Sequence, residues 1–213
     1  MLKLGQKLIS KAPDSLKSLG GYMQLGLMAF AFSLLAILSS CFALREPAVP
    51  TATTSWISPT EPDVLLDNFR QAITTLNLVN YERCFRNPGF RYVPDPSVSG
   101  QNVGIFQRWT IQEELEYLKN LRNNGTTLSN NRLELSNPRQ IFLNADSLEF
   151  TATYSLQMYH ADTSFNKFQF QGNVLLTLVR NRSNEWAIRN WQDTKGSSNP
   201  FCWTDLKQHF VSP

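Results

Sequence analysis

Histidine and cysteine are scarce in this chain, with two His and three Cys in 213 residues. Zinc and most transition-metal sites draw on imidazole and thiolate in sets of three or four. With no clustered carboxylates to replace them, the chain carries no ligand set, and neither a metal nor a cofactor is implied. A real charge imbalance is missing as well. The formal net charge is +3, but Lys3, Lys7, Lys11 and Lys17 against Asp14 account for it, and from Cys41 onward 16 basic residues face 16 acidic ones. A neutral folded part has no electrostatic footprint for a phosphate backbone, so nucleic acid is excluded as a partner. Internal repeats are absent too, and at this length the chain holds one ordinary domain plus a targeting segment.

The chain does have one long apolar run. Residues 25–44 carry no charge, and twenty residues at ~1.5 Å each cross the ~30 Å hydrocarbon core of a bilayer. The lysines precede this run, so the N-terminus stays cytoplasmic and the chain beyond Arg45 is exported. Two readings of the run stand side by side. In one it is an uncleaved signal anchor. In the other it closes on Leu38-Ser39-Ser40-Cys41, which resembles the lipobox of bacterial lipoproteins and makes Cys41 the lipidated residue. By the same resemblance, Phe42 rather than Asp after the cysteine implies the outer membrane in a two-membrane host. The expected location is the bacterial cell envelope, with the domain outside the cytoplasm. Residues 45–59, with Pro47, Pro50 and Pro59 around a Thr-Ala-Thr-Thr-Ser run, have little to bury and read as a tether.

The folded part, residues 60–213, is organised around residues 148–193. Leu148, Phe150, Ala152, Tyr154, Leu156 and Met158 fall on one parity, with polar residues between them, as a strand with one buried face requires. Phe168, Phe170, Gly172, Val174, Leu176 and Leu178 repeat the pattern. After the polar Asn181-Arg182-Ser183-Asn184 connection, residues 185–193 return as a third strand. In that last strand Trp186 and Ile188 share one face, and Trp191 and Asp193 lie on the other unless a bulge at Arg189 or Asn190 shifts the register. Leu133 and Leu135, continued by Ile141-Phe142-Leu143 past Pro138, supply a fourth strand.

Helical cover comes earlier in the chain. Thr60 caps a helix with Pro62 in its first turn and a stripe of Val64, Leu65, Phe69, Ala72, Ile73 and Leu76. A short helix comes next, with Leu78, Val79, Tyr81 and Cys84 inward, and then a short strand at residues 90–93. Thr110-Ile111-Gln112-Glu113 is a capping box, opening a helix with Ile111, Leu115, Leu118 and Leu121 buried and ending near Asn124-Gly125. The fold class is therefore α+β: N-terminal helices packed on an antiparallel sheet, preceded by the targeting segment and the tether.

Helices first, then a curled sheet ending in Trp186-Ala187-Ile188-Arg189-Asn190-Trp191-Gln192-Asp193, resembles the nuclear transport factor 2-like cone fold shared by SnoaL-type proteins and ketosteroid isomerases. The likeness spans residues 60–193 and leaves 196–213 as a C-terminal extension. It implies a conical cavity between helices and sheet, used in the family for catalysis, for ligand binding or for no known purpose, and relatives often dimerise through the outer face of the sheet. Fold alone does not decide among these.

Three functions stand as expectations. The first is a non-catalytic, envelope-anchored ligand-binding or assembly module, whose partners are the membrane, a small apolar ligand or a protein. Its cavity would be lined by Tyr92, Trp109, Tyr154, Trp186 and Trp191, because large rings suit an apolar or planar ligand. The second is a small isomerase, dehydratase or cyclase. There Asp193 would serve as a base whose pKa is raised by desolvation, with Tyr92 or His160 assisting, and His160 with Asp162 forms a separate acid–base pair. The bland alternatives are a structural ion pair of Asp193 with Arg91 or Arg189 and an exposed loop pair for His160 and Asp162. The third function is structural, a homodimer with a filled cavity. Cys84 and Cys202 either form a disulfide in an oxidising compartment or are small buried residues.

Overall fold

The computed structural model describes residues 56–100, 104–125 and 130–211. The apolar run 25–44, the lipobox-like residues 38–41 with Cys41, and tether residues 45–55 lie outside the described residues. Among those described, no helix is long and apolar enough to cross a membrane.

The elements in chain order are α1 (Pro62–Thr74), α2 (Leu78–Arg83), β1 (Arg91–Val93), α3 (Pro96–Ser99), α4 (Ile111–Asn123), β2 (Arg132–Asn144), β3 (Ser147–Gln157), β4 (Gln169–Arg180), β5 (Trp186–Lys195) and α5 (Trp203–Val211). The strands form one sheet in the order β1-β5-β4-β3-β2. The last four make the antiparallel meander that the alternation predicts, and β1 adds itself in parallel beside β5. Long twisted strands that carry bulges curl, and the helices close over the concave side as a cone.

Three register shifts shape this sheet, one in β5 and two in β2. In β5 the register passes from Leu178↔Ile188 to Thr177↔Asn190, leaving Arg189 as the extra residue. The shift resolves the parity conflict, because Trp186, Ile188, Trp191 and Asp193 all become buried. In β2 one shift falls between Ser136 and Arg139, with Asn137 at φ 53° ahead of Pro138, and the other leaves Leu143 as the extra residue between Phe142↔Leu148 and Asn144↔Ser147, so β2 is one bent strand that continues past Pro138.

The helices obey their end signals closely. The capping box at Thr110 and Glu113 forms as expected. At α1 the cap moves by one residue: Glu61, not Thr60, is the N-cap, because Pro62, with its fixed φ, takes the first helical position; the Glu61 side chain makes no cap bond. Val79 is the other correction, being exposed rather than inward, while Tyr81 and Cys84 on the same short helix are buried. The end of the tether is not free. Asn68 Nδ2 donates to the Ile57 carbonyl at 2.6 Å, the Trp186 N–H donates to the Pro59 carbonyl at 2.7 Å, and the Arg83 guanidinium lies 4.3 Å from the Trp56 ring centre.

The core runs from Leu65 and Phe69 in α1 through Phe150, Phe170 and Ile188 in the sheet to Trp203, Leu206 and Phe210 in α5. The C-terminal extension is thus part of the interior. α5 lies along α4 and against β4 and β5, its apolar stripe at 203, 206 and 210 turned into the cone. Cys84 and Cys202 are both buried free thiols, so the bridge offered between them is not formed. Each is held locally instead, the Cys84 thiol donating to the Asn80 carbonyl and the Cys202 N–H donating to Asp205.

Candidate functional site

The interior of the cone is where the sequence placed its acid and most of its aromatic lining. Asp193 stands on β5 just past the bulge and is fully buried. Its Oδ1 accepts the Tyr154 hydroxyl at 2.8 Å, and its Oδ2 accepts both the N–H of Thr204 at 2.7 Å and the Thr204 hydroxyl at 2.6 Å. The Tyr92 hydroxyl lies 3.5 Å from the same oxygen and 2.8 Å from Thr204 Oγ1. Burial pushes the Asp193 carboxyl above the ordinary carboxylate range, and the bonds from Thr204 and Tyr154 offset part of that rise. The rim ion pair does not occur: Arg91 and Arg189 are both exposed, while Asp193 points into the core.

Tyr154 reaches Asp193 because residue 172 across the strand pair is glycine. A β-carbon there would lie 2.7 Å from the Tyr154 hydroxyl and 2.5 Å from the Thr194 carbonyl, distances that real side chains do not adopt. The Tyr154 oxygen also accepts the Trp203 N–H at 2.6 Å, which ties the first turn of α5 to the same cluster. Asp95 completes the frame: its N–H donates to Thr204 Oγ1 at 3.0 Å, and its Oδ2 accepts the Lys195 N–H at 2.7 Å.

Beside this cluster lies a second buried group that the sequence reading missed. Glu114 of α4 and Lys207 of α5 are both fully buried and pair at 2.7 Å. Glu114 also accepts the Tyr81 hydroxyl at 2.6 Å and the Trp109 indole N–H at 2.7 Å. The Lys207 ammonium sits over the rings of Tyr92 at 3.6 Å and Trp191 at 3.5 Å, with Tyr117 and Trp109 at 5.7 and 5.8 Å. Four rings and a carboxylate form a cation cage, the arrangement that proteins use to hold ammonium ligands. Here the occupant is the protein's own lysine. Burial lowers its pKa to about 8, and the charges of Glu114 and Asp193 oppose that fall.

Of the residues expected to line the cavity, Tyr92, Trp109, Tyr154 and Trp191 meet around α5. Trp186 does not join them. It packs on Phe142 and under the Arg180 guanidinium, where the chain enters the domain. His160 is also elsewhere, buried among Phe165, Phe168 and Phe210, its Nε2 donating to the Lys167 carbonyl at 2.8 Å. The His160–Asp162 pair is not formed, neither as an acid–base dyad nor as an exposed loop pair. Asp162 bonds His209 at 2.7 Å instead, and the Ser164 contacts and His209 hold its carboxyl well below the usual range. The reason is local. Asp162 caps the short turn at Thr163–Phe165, facing outward, while His160 continues the inward parity of β3.

The arrangement holds the parts of an acid–base site, a carboxyl of raised pKa with two tyrosine donors, but α5 occupies the place a substrate would take. Hollows of about 1010 and 720 Å³ lie outside the cone. The first runs along α1 and the start of β2, and the second between the ends of α4 and α5, around Asp162 and His209. Neither is lined by Asp193, Tyr92 or Trp191.

Glu114 and Lys207 were nevertheless visible as anomalies. Ile111, Glu114, Leu118 and Leu121 share one helical face, as do Trp203, Leu206, Lys207 and Phe210, so each charge interrupts an apolar stripe at core spacing. Two opposite interruptions on two helices are the signature of a buried pair.

No family model matches the chain, and no curated protein matches it. Solved structures do. An NTF2-like protein of unknown function in nutrient uptake from Rhodospirillum rubrum superposes with a TM-score of 0.50 at 13% identity, over 64% of this chain and 98% of that one. An NTF2-like protein from Cytophaga hutchinsonii gives 0.47 at 9% identity over 63% and 97%, and one of unknown function from Shewanella oneidensis gives 0.44 at 14% over 62% and 93%. At such identities the likeness is one of fold: the described domain has the NTF2-like cone architecture.

Proposed function

We propose that the protein is a non-catalytic assembly module of the bacterial cell envelope, held to a membrane by its N-terminal segment and presenting a cone-fold domain whose cavity is filled by its own C-terminal helix. The observation that carries this reading is the state of Asp193. It is the acid expected to act as a base, it is fully buried, and its closest donors are Tyr154 and Thr204 of the same chain. A general base must reach the proton it removes, within a hydrogen bond or through one water. With Trp203, Thr204 and Lys207 seated over it, Asp193 reaches none, and it acts to hold α5. The small apolar ligand gives way for the same reason, since the rings that would stack it hold Lys207.

What remains to contact a partner is the outside of the domain. Anchoring is read from the lysine-flanked apolar run and Leu38-Ser39-Ser40-Cys41, with the outer membrane as the destination in a two-membrane host. The test is the native mass of the full chain, extracted from its own host in detergent, set beside its denatured mass. Equal masses are expected after detergent is accounted for, with the denatured mass carrying acyl chains on Cys41. A stoichiometric extra small molecule that Trp191→Ala abolishes would overturn the filled-cone reading and restore Asp193 as a catalytic candidate.

A further inference from the structure

Six large apolar side chains are exposed among the described residues, and four of them gather at one end of the domain. Ile141, Phe142 and Leu143 are 59, 60 and 54% exposed, and Ile57 is 59% exposed. The first three are consecutive on β2, the edge strand of the sheet, so both of its faces are apolar. Phe142 sits opposite Leu148 on the inner face, while Ile141, opposite Glu149, points outward. A strand end has no reason to be apolar on both faces in water, and edge strands are normally blunted there by charge.

The contacts around this strand end place it beside the point where the chain enters the domain. Phe142 meets Trp186 edge-on at 6.3 Å, and the Trp186 N–H bonds Pro59, two residues after Ile57. Gln140 donates to Asp63 in the first turn of α1 at 2.6 Å. Trp56 and Trp186 each lie under an arginine, Arg83 and Arg180. Trp186 is buried beneath Arg180, whereas Trp56 is half-buried at the surface; an indole with a guanidinium beside it, next to exposed aliphatic side chains, is the composition of protein surface that rests in the headgroup region of a bilayer.

We infer that the end of the domain formed by Ile57, Ile141, Phe142 and Leu143 docks on the lipid surface of the membrane that the N-terminal segment enters. The inference rests on the proposed anchoring. Its ground is the length of chain between the anchor and the domain: only residues 42–55 separate Cys41 from Trp56, and fourteen residues reach at most ~50 Å when fully extended. The tether joins the domain beside its exposed apolar end, which keeps that end within reach of the bilayer. Its docking would leave the outer face of the sheet and the far end, around Ser198, free for partners.

The experiment uses the full chain, purified from membranes, with an environment-sensitive fluorophore on Leu143→Cys. In a second sample the label is on Ser198→Cys, which lies at the other end of β4 beside Gln171. Cys84 and Cys202 are buried and stay unlabelled in the folded protein. Both samples are reconstituted into phosphatidylcholine vesicles and floated on a density gradient, then compared with vesicles whose acyl chains are brominated. The expected result is that both float, that the label at 143 shifts to the blue and loses most of its emission to bromine, and that the label at 198 does neither. Flotation with an unquenched label at 143 would overturn the docking while leaving the anchor in place. Failure to float would overturn both. A label at 143 that is shielded in detergent micelles, and increasingly so with protein concentration, would assign the surface to a second copy of the chain and equally overturn lipid docking.

Discussion

The cone interior and the strand end at residues 141–143 each hold side chains in the wrong surroundings, and they differ in how that mismatch is answered. Inside, Glu114, Lys207, Asp193 and Thr204 are polar groups within an apolar core, and each meets its counterpart on the same chain. At the strand end, Ile141, Phe142 and Leu143 are apolar groups in water, with only Phe142 leaning on another ring. A mismatch answered from within marks structure, and one left open marks a contact still to be made. By that criterion the interior of the cone is filled by the protein's own side chains, and the strand end is the part of its surface left unanswered.

Removing one member of the internal network is the strongest way to break this contrast. Lys207→Ala leaves the Glu114 carboxylate buried without its cation, and such losses cost about 3–5 kcal/mol. Urea melts should show a fall of that size, whereas Glu114→Gln/Lys207→Met, which removes both charges and keeps an acceptor for Tyr81, should recover most of it. A Lys207→Ala protein as stable as wild type would mean that α5 does not sit in the cone.

The same lysine gives the interior a pH signature of comparable size. Its folded pKa of about 8 lies below its ordinary 10.5, so the stability tied to its neutral form is complete above 10.5 and is lost as pH falls through about 8. The stability of wild type minus that of Lys207→Met should therefore rise between pH 8 and 10.5, by on the order of 3 kcal/mol. The buried tyrosines and cysteines are common to both proteins and cancel in the difference. Asp193 works in the opposite sense: its raised pKa contributes most below the ordinary carboxylate value of 3.8, and that contribution fades as pH rises through the elevated folded value. A flat difference curve would show Lys207 to be solvated.

Gly172→Ala attacks the same network through the backbone. The added carbon cannot coexist with the Tyr154 hydroxyl where it stands, so Tyr154 must leave Asp193 and Trp203, at the ~1–3 kcal/mol typical of overpacking. Thermal melts read the loss. A substitution without effect would place Tyr154 outside the network.

How much of this was legible beforehand depends on the range of the interactions. The meander, the capping box and the bulge in β5 are local, written in parity and spacing over a dozen residues, and Trp186-Ala187-Ile188-Arg189-Asn190-Trp191-Gln192-Asp193 declared the bulge by putting its indoles on opposite parities. The parallel addition of β1 and the filling of the cone by α5 join residues about a hundred positions apart, and no periodicity encodes them. Asp193 stands out in the sequence as an acid on an aromatic strand, with burial and a rim ion pair both open to it; its partner Thr204, which goes with burial, lies beyond the span covered by the family likeness. Lys207 was overlooked because a lysine is ordinarily read as a solvated face; only its place between Leu206 and Phe210 on an apolar stripe says otherwise.

The smallest effect is expected where the open mismatch lies, and it is the sharpest discriminator between the two regions. Ile141→Ser and Leu143→Ser remove apolar surface that is more than half exposed, at a ladder position opposite Glu149 and at an unpaired bulge position of the same edge strand. Substitutions away from buried features stay within about 0.5 kcal/mol, so the urea midpoint of either variant should match wild type. If these residues were instead part of an internal core, each serine would cost about 1–3 kcal/mol through lost burial. Unchanged stability together with weakened attachment of the domain to vesicles would assign Ile141 and Leu143 to a contact outside the chain, whereas a matched loss of stability would return them to the fold and leave the strand end with no partner to explain.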